Sequence, residues 1–161
     1  MPTVRGWSSG INNLDCRLLF FCYAFAMNIT EPSFAEEKLM AGWNPPFSWY
    51  FSRALARETA RRIMCQPNAV ERALDVTEKA LADPQKNGQW FYFLKWKTLL
   101  KNEGVAGAVR VLWGRDDDES QAMRTASPFS GWVINPSERD KLFSRLLEKW
   151  ELSRAGESSH G

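Results

Sequence analysis

Arg53, Arg57 and Arg61 recur every four residues, with Arg62 beside the last. On a helix that spacing lines up three guanidinium groups as one ridge. Planar guanidinium groups grip carboxylates and phosphates with two bonds at once, so the ridge suits an acidic protein or the phosphates of a nucleic acid. Glu58 is the one acid placed to relieve it, and a solvated helix face with partial pairing is the plainer alternative. Asp116, Asp117, Asp118 and Glu119 form an acidic run. No calcium-loop glycine pattern follows them, and acids at a helix start complement its dipole, so no metal is expected there. The single histidine, His160, lies in a polar tail and leaves little room for His-based catalysis. Cys16, Cys22 and Cys65 are odd in number and widely spaced. Neither a zinc site nor a disulfide framework is indicated, which fits a reducing, cytoplasmic setting. No carboxylate pair stands out as acid and base. The residue types therefore exclude most catalytic chemistry, no cofactor is expected, and a protein that acts by presenting surface is the consistent reading.

The elements that would position these groups are helical. The chain of 161 residues is 44% hydrophobic and 25% charged, which supports one globular core. Its formal net charge of +2 confines any basic function to a local patch. Eight Trp and ten Phe serve either a core of few large side chains or a partner surface. Leu18–Met27 is an apolar run too short to span a bilayer as a helix, so no membrane association is expected. A buried helix or strand is the favoured reading; a secretory signal cleaved after Ala24-Phe25-Ala26 and a start at Met27 are alternatives. Pro32, Gly42, Asn44, Pro45 and Pro46 break the next stretch into a connector, with helical character at 35–40.

From there the pattern predicts helices in succession. Ser48 to Met64 is capped by Ser48, with Phe51, Leu55, Thr59 and Ile63 inward and the arginines outward. Asn68 and Glu71 open the second as a capping box, and Val70, Leu74, Thr77 and Leu81 form its seam. Gln89 to Asn102, rich in Trp and Phe, reads as the central helix, buried on two faces. Gly104 breaks the pattern before a short helix over Val105 to Leu112. The acidic run opens another, and Asn135, Pro136 and Glu138 begin the last. The fold class is mostly α: a compact bundle of about five to six helices. An N-terminal arm and connector (1–46) precedes the helical domain (47–152), and a disordered tail (153–161) follows it.

Between the last two helices lies Met123–Trp132, neither helix nor strand by its own chemistry. Pro128 removes a donor and pushes Ser127 out of the α region; Gly131 permits a backbone angle other residues resist. Phe129 and Trp132 are too apolar to be left in water and must bury against the body or a partner. Arg124-x-x-Ser127-Pro128-Phe129-x-Gly131, after an acidic helix start, resembles a pattern in short helical bacterial proteins of toxin–antitoxin-type two-gene modules. The arginine-rich helix and Trp96-x-x-Leu99-Leu100 extend the resemblance over roughly Ser48 to Trp150. It implies an antitoxin-like inhibitor that binds a cognate toxin or other effector. On that resemblance Ser127 and Gly131 shape the turn, Arg124 lies at its exposed edge, and Phe129 is the anchor, with Trp132 and the arginine ridge completing the contact surface. The plainer alternative is that the turn only locks two helices together. A second function is nucleic-acid binding, with Arg53, Arg57, Arg61 and Arg62 on phosphates and Lys95, Lys97 and Lys101 in support.

Overall fold

The computed structural model describes residues 32–158, apart from positions 84, 86, 87, 115 and 116. The chain divides between Thr30 and Glu31 into two compact units. The apolar run at Leu18–Met27 and most of the N-terminal arm lie outside the described residues. Within the second unit the described residues form six helices and no strand, so the protein is mostly α.

Helix α1, Phe34–Ala41, starts in the connector. Its ends are closed by local chemistry. The Ser33 hydroxyl accepts from the Glu36 amide at 3.3 Å, and the Ser33 amide donates to the Glu36 carboxylate at 2.7 Å. That reciprocal pair satisfies two of the four orphan amides of a helix start. At the other end Gly42 takes φ 72 and donates to the carbonyls of Lys38 and Leu39. The left-handed conformation suits glycine and stops the helix. Although the proline-rich stretch 43–46 follows, α1 belongs with the body, because its Glu37 is only 2% exposed.

Helix α2, Phe47–Met64, begins one residue before the expected Ser48 cap. Pro46 occupies the capping position, and its carbonyl accepts from the Trp49 amide at 3.0 Å. Proline has no side-chain acceptor, so the start of α2 lacks the side-chain cap expected of Ser48. Phe51, Thr59 and Ile63 are buried as the spacing predicts, and Leu55 is half-buried. So too are Tyr50, Arg53, Ala54, Ala56, Arg57 and Ala60, on other faces. The enclosed element is therefore α2, wrapped by α1 and by three further helices.

Those helices are α3, Ala69–Leu81, α4, Trp90–Trp113, and α6, Pro136–Ser158; all three contact α2, and α4 also contacts α3 and α5, Asp118–Thr125. The seam of α3 is lined by Ala69, Ala73 and Thr77, smaller than the expected Val70–Leu74–Leu81 set, which is half-buried. Small side chains let α3 approach α4 closely, and Thr77 satisfies its hydroxyl on the Ala73 carbonyl at 2.7 Å. Asn68 makes no side-chain cap bond. In α4, Trp96 and Leu100 are buried, but Trp90, Phe91 and Leu94 are exposed, so its first turns present one face to solvent.

Gly104 divides α4, with φ 59 and ψ −141, far from helical values. Glycine tolerates that region and residues with a Cβ do not. A Cβ built there would meet nothing within 4 Å, so the cost of a side chain is purely in the backbone. Gly104→Ala is expected to lose about 1–3 kcal/mol in urea unfolding with an unchanged m-value. Unaltered stability would mean that the two halves of α4 are free to straighten.

Helix α6 starts with the expected capping box. The Glu138 amide donates to Asn135 Oδ1 at 2.9 Å, and the Asn135 amide donates to Glu138 Oε2 at 3.1 Å. It lies on the surface and docks through aromatic rings. Phe143 meets Phe47 and Phe51 edge-on at 5.1 Å each, and Trp150 sits 5.5 Å from Phe47. The helix continues beyond Trp150 to Ser158, so Ser153–Ser158 is helical, and 159–161 lie outside the described residues. Arg154 stacks on Trp150 at 4.7 Å, and Glu157 reaches Lys38 of α1 at 3.6 Å, which supports this last stretch.

Candidate functional site

The arginine ridge does not face solvent as its spacing suggests. Arg53 is 8% exposed and Arg57 only 3%, and both close on the carboxylate of Glu37. Arg53 Nε lies 3.4 Å from Glu37 Oε1, and Arg57 Nη2 donates to the same oxygen. Arg53 also donates to the Gly114 carbonyl at 3.1 Å and stacks 5.4 Å from the Trp49 ring. The physical reason is that α1 folds back and inserts its acid between the two cations. A buried guanidinium persists only with such a partner.

Arg61 and Arg62 are half-buried and equally engaged. Arg61 donates to Glu58 at 3.3 Å and lies 4.9 Å over the Trp113 ring. Arg62 bridges Glu58 at 3.0 Å and Glu138 at 2.7 Å, tying α2 to the start of α6. The bond from Arg62 and then that from the Asn135 amide hold the Glu138 carboxyl below the usual carboxylate range. The bridge therefore stays charged at acid pH values where a free glutamate protonates. Of the supporting lysines, Lys95 is paired with Glu119 and Lys97 with Glu78. Arg53 and Arg57 are thus withdrawn from any role as phosphate contacts on an open surface.

The Met123–Trp132 stretch, expected to be neither helix nor strand, starts as the last turn of α5 and then bends; Thr125, Ser130 and Gly131 are exposed, but its large apolar groups turn inward. Phe129 is 1% exposed and meets Trp96 edge-to-face at 5.8 Å. Trp96 Nε1–H donates to the Met123 carbonyl at 2.7 Å. Ser127 holds the bend by accepting from the Phe129 amide at 3.3 Å, and Gly131 takes φ 85. Trp132 donates to the Pro128 carbonyl at 2.8 Å and is covered by Arg72 at 4.4 Å. Phe129 is therefore an anchor of the protein's own core, against α4, and is not presented to a partner. The locking alternative describes the geometry. Arg124 leaves this group and donates to the Val111 carbonyl at 3.2 Å.

Two of the singled-out residues do meet at an open place. Arg53 and Arg124 line a cleft of about 560 Å³ with Trp43, Trp49, Asp118 and Gln121. Trp43 and Trp49 stand edge-to-face at 6.5 Å and form its aromatic wall. Trp43 is 54% exposed, and Leu39 and Met40, at the end of α1, are 82% and 65% exposed. Sequence reasoning passed over all of these. The available signal was a tryptophan set among helix breakers, Gly42-Trp43-Asn44-Pro45-Pro46, where a small polar residue is usual.

Among the described residues no group of three or more His, Cys, Asp and Glu side chains could hold a metal ion, and no helix is long and apolar enough to cross a membrane. The fold and the cleft define an all-helical bundle with an aromatic, arginine-flanked corner. Compared with family models, curated proteins and solved structures, this chain finds no match.

Proposed function

We propose that the protein acts by binding another protein, as a non-enzymatic inhibitor of the antitoxin kind, in the cytoplasm. Its contact surface is the corner that follows α1, in place of the arginine ridge. The observation behind this reading is the exposure of Leu39, Met40 and Trp43 beside the Trp43–Trp49 cleft with Arg53 and Arg124. Large apolar groups left in water lose nothing by being covered and gain on burial. Tryptophan and arginine are also the residue types that dominate the energetics of protein interfaces. The partner that matches is a protein with an apolar patch to cover Leu39, Met40 and Trp43 beside the cleft.

The test is co-expression with the product of the neighbouring gene, followed by pull-down and a growth assay. The expected result is a stable complex and rescue of growth. Trp43→Ala should weaken that complex by about 2 kcal/mol or more, about thirtyfold, with the melting temperature unchanged. A harmless neighbour and no copurifying protein would sink the proposal.

A further inference from the structure

A second cleft, of about 460 Å³, opens between α1, α2 and α6. Tyr50 forms part of its floor and is 3% exposed. A buried phenol ordinarily finds a hydrogen-bond partner. The Tyr50 hydroxyl has none among the described residues, yet no side-chain oxygen or nitrogen sealed from solvent lacks a partner. The hydroxyl therefore reaches open space, and Tyr50 lines both this cleft and a neighbouring one along α6. Burial first, and then the carboxylates of Glu37 and Glu157, push its pKa above the ordinary tyrosine value. It stays an O–H donor through the neutral range.

The opposite wall comes from α6. Arg145 and Lys149 are four residues apart, exposed, and without an ion pair among the described residues. Like charges at that spacing repel, and an anion held between them reverses the sign of the interaction. Leu142 and Leu146 line the same wall with apolar surface. The carboxylates around the cleft are already engaged: Glu36 by the Ser33 cap, Glu37 by Arg57, and Glu58 by Arg61 and Arg62. Glu36 keeps its negative charge, but the cations of the lining, Arg57, Arg61, Arg145 and Lys149, outnumber its carboxylates, and the phenol, the Arg145 guanidinium and the Lys149 ammonium group remain available as donors.

We propose that this cleft binds a phosphate monoester carried on a small apolar body, the phosphate held by Arg145, Lys149 and the Tyr50 hydroxyl, the body on Leu142 and Leu146. A guanidinium, an ammonium group and a phenol offer more donors than the two oxygens of a carboxylate can accept from singly, and suit the three terminal oxygens of a phosphate monoester.

The experiment uses the full chain labelled with 3-fluorotyrosine, which gives three fluorine resonances, one per tyrosine. Tyr50→Phe assigns the Tyr50 signal. Titration with phenyl phosphate should shift that resonance saturably and leave the other two in place. The double variant Arg145→Ala/Lys149→Ala should raise Kd by about tenfold or more without moving Tm, since both side chains are exposed. A Tyr50 resonance that does not move, or moves without saturating, overturns the proposal. So does a double variant that binds as well as the parent, or benzoate that binds as well as phenyl phosphate.

Discussion

Glu37→Leu should cost about 3–5 kcal/mol of folding stability, the characteristic loss when one partner of a buried ion pair is removed. The carboxylate holds two guanidinium groups, Arg53 and Arg57, that are themselves almost sealed from water. Leucine restores the volume of the side chain but leaves those cations facing apolar surface. A loss of that size is a large fraction of the roughly 5–15 kcal/mol typical of a small domain. The measurement is urea unfolding followed by far-UV circular dichroism. A further variant separates charge from packing. Adding Arg53→Met and Arg57→Met to Glu37→Leu should recover much of the loss, since replacing a whole buried ionic group by apolar residues is often neutral or better. A single-variant loss below about 1 kcal/mol would show that the two arginines swing out to solvent, and would revive the ridge as a surface feature.

Phe129→Ala is expected to be comparably damaging, about 3–5 kcal/mol. The ring is the fully buried contact between the 123–132 turn and Trp96 of α4. Removing it loses apolar burial and the edge-to-face pairing and leaves a cavity that a proline-stiffened turn cannot collapse to fill. Trp96 is held at its other end by the Met123 carbonyl, so its ring is unable to follow. Phe129→Leu, which keeps most of the volume, should lose considerably less. Equal losses for the two variants would point to the turn's backbone as the source. Retention of full stability by Phe129→Ala would place the ring at a surface for a partner after all.

What could be read from the sequence was whatever depends on near neighbours in the chain. Asn135, Pro136 and Glu138 announce the start of α6, Gly104 the interruption of α4, and Pro128 with Gly131 the bend. Each rests on the local geometry of a backbone amide or a single dihedral angle. The pairing of Glu37 with Arg53 and Arg57 spans 16 and 20 residues and is invisible to such reasoning. Periodicity alone assigned the arginines to the outside, because it ranks residues by polarity and has no knowledge of a partner folding back. The same limit hid the Trp43 cleft, whose walls come from the stretch after α1, from α2 and from α5. It also left open whether Phe129 buries against the body or a partner and left Trp43 unremarked: the ring in the bend is buried in the protein's own core, and the ring in the breaker-rich connector is exposed.

The eight-residue helix before α2 has a practical consequence for anyone who shortens the chain. The proline pair at 45–46 looks like a natural place to cut, and a fragment starting there would keep every long helix. It would also carry two stranded guanidinium groups in its interior, with their counterion left behind on the discarded piece. A trimmed version therefore has to begin ahead of Ser33, so that the serine that starts α1 and the glutamate it positions travel with the rest.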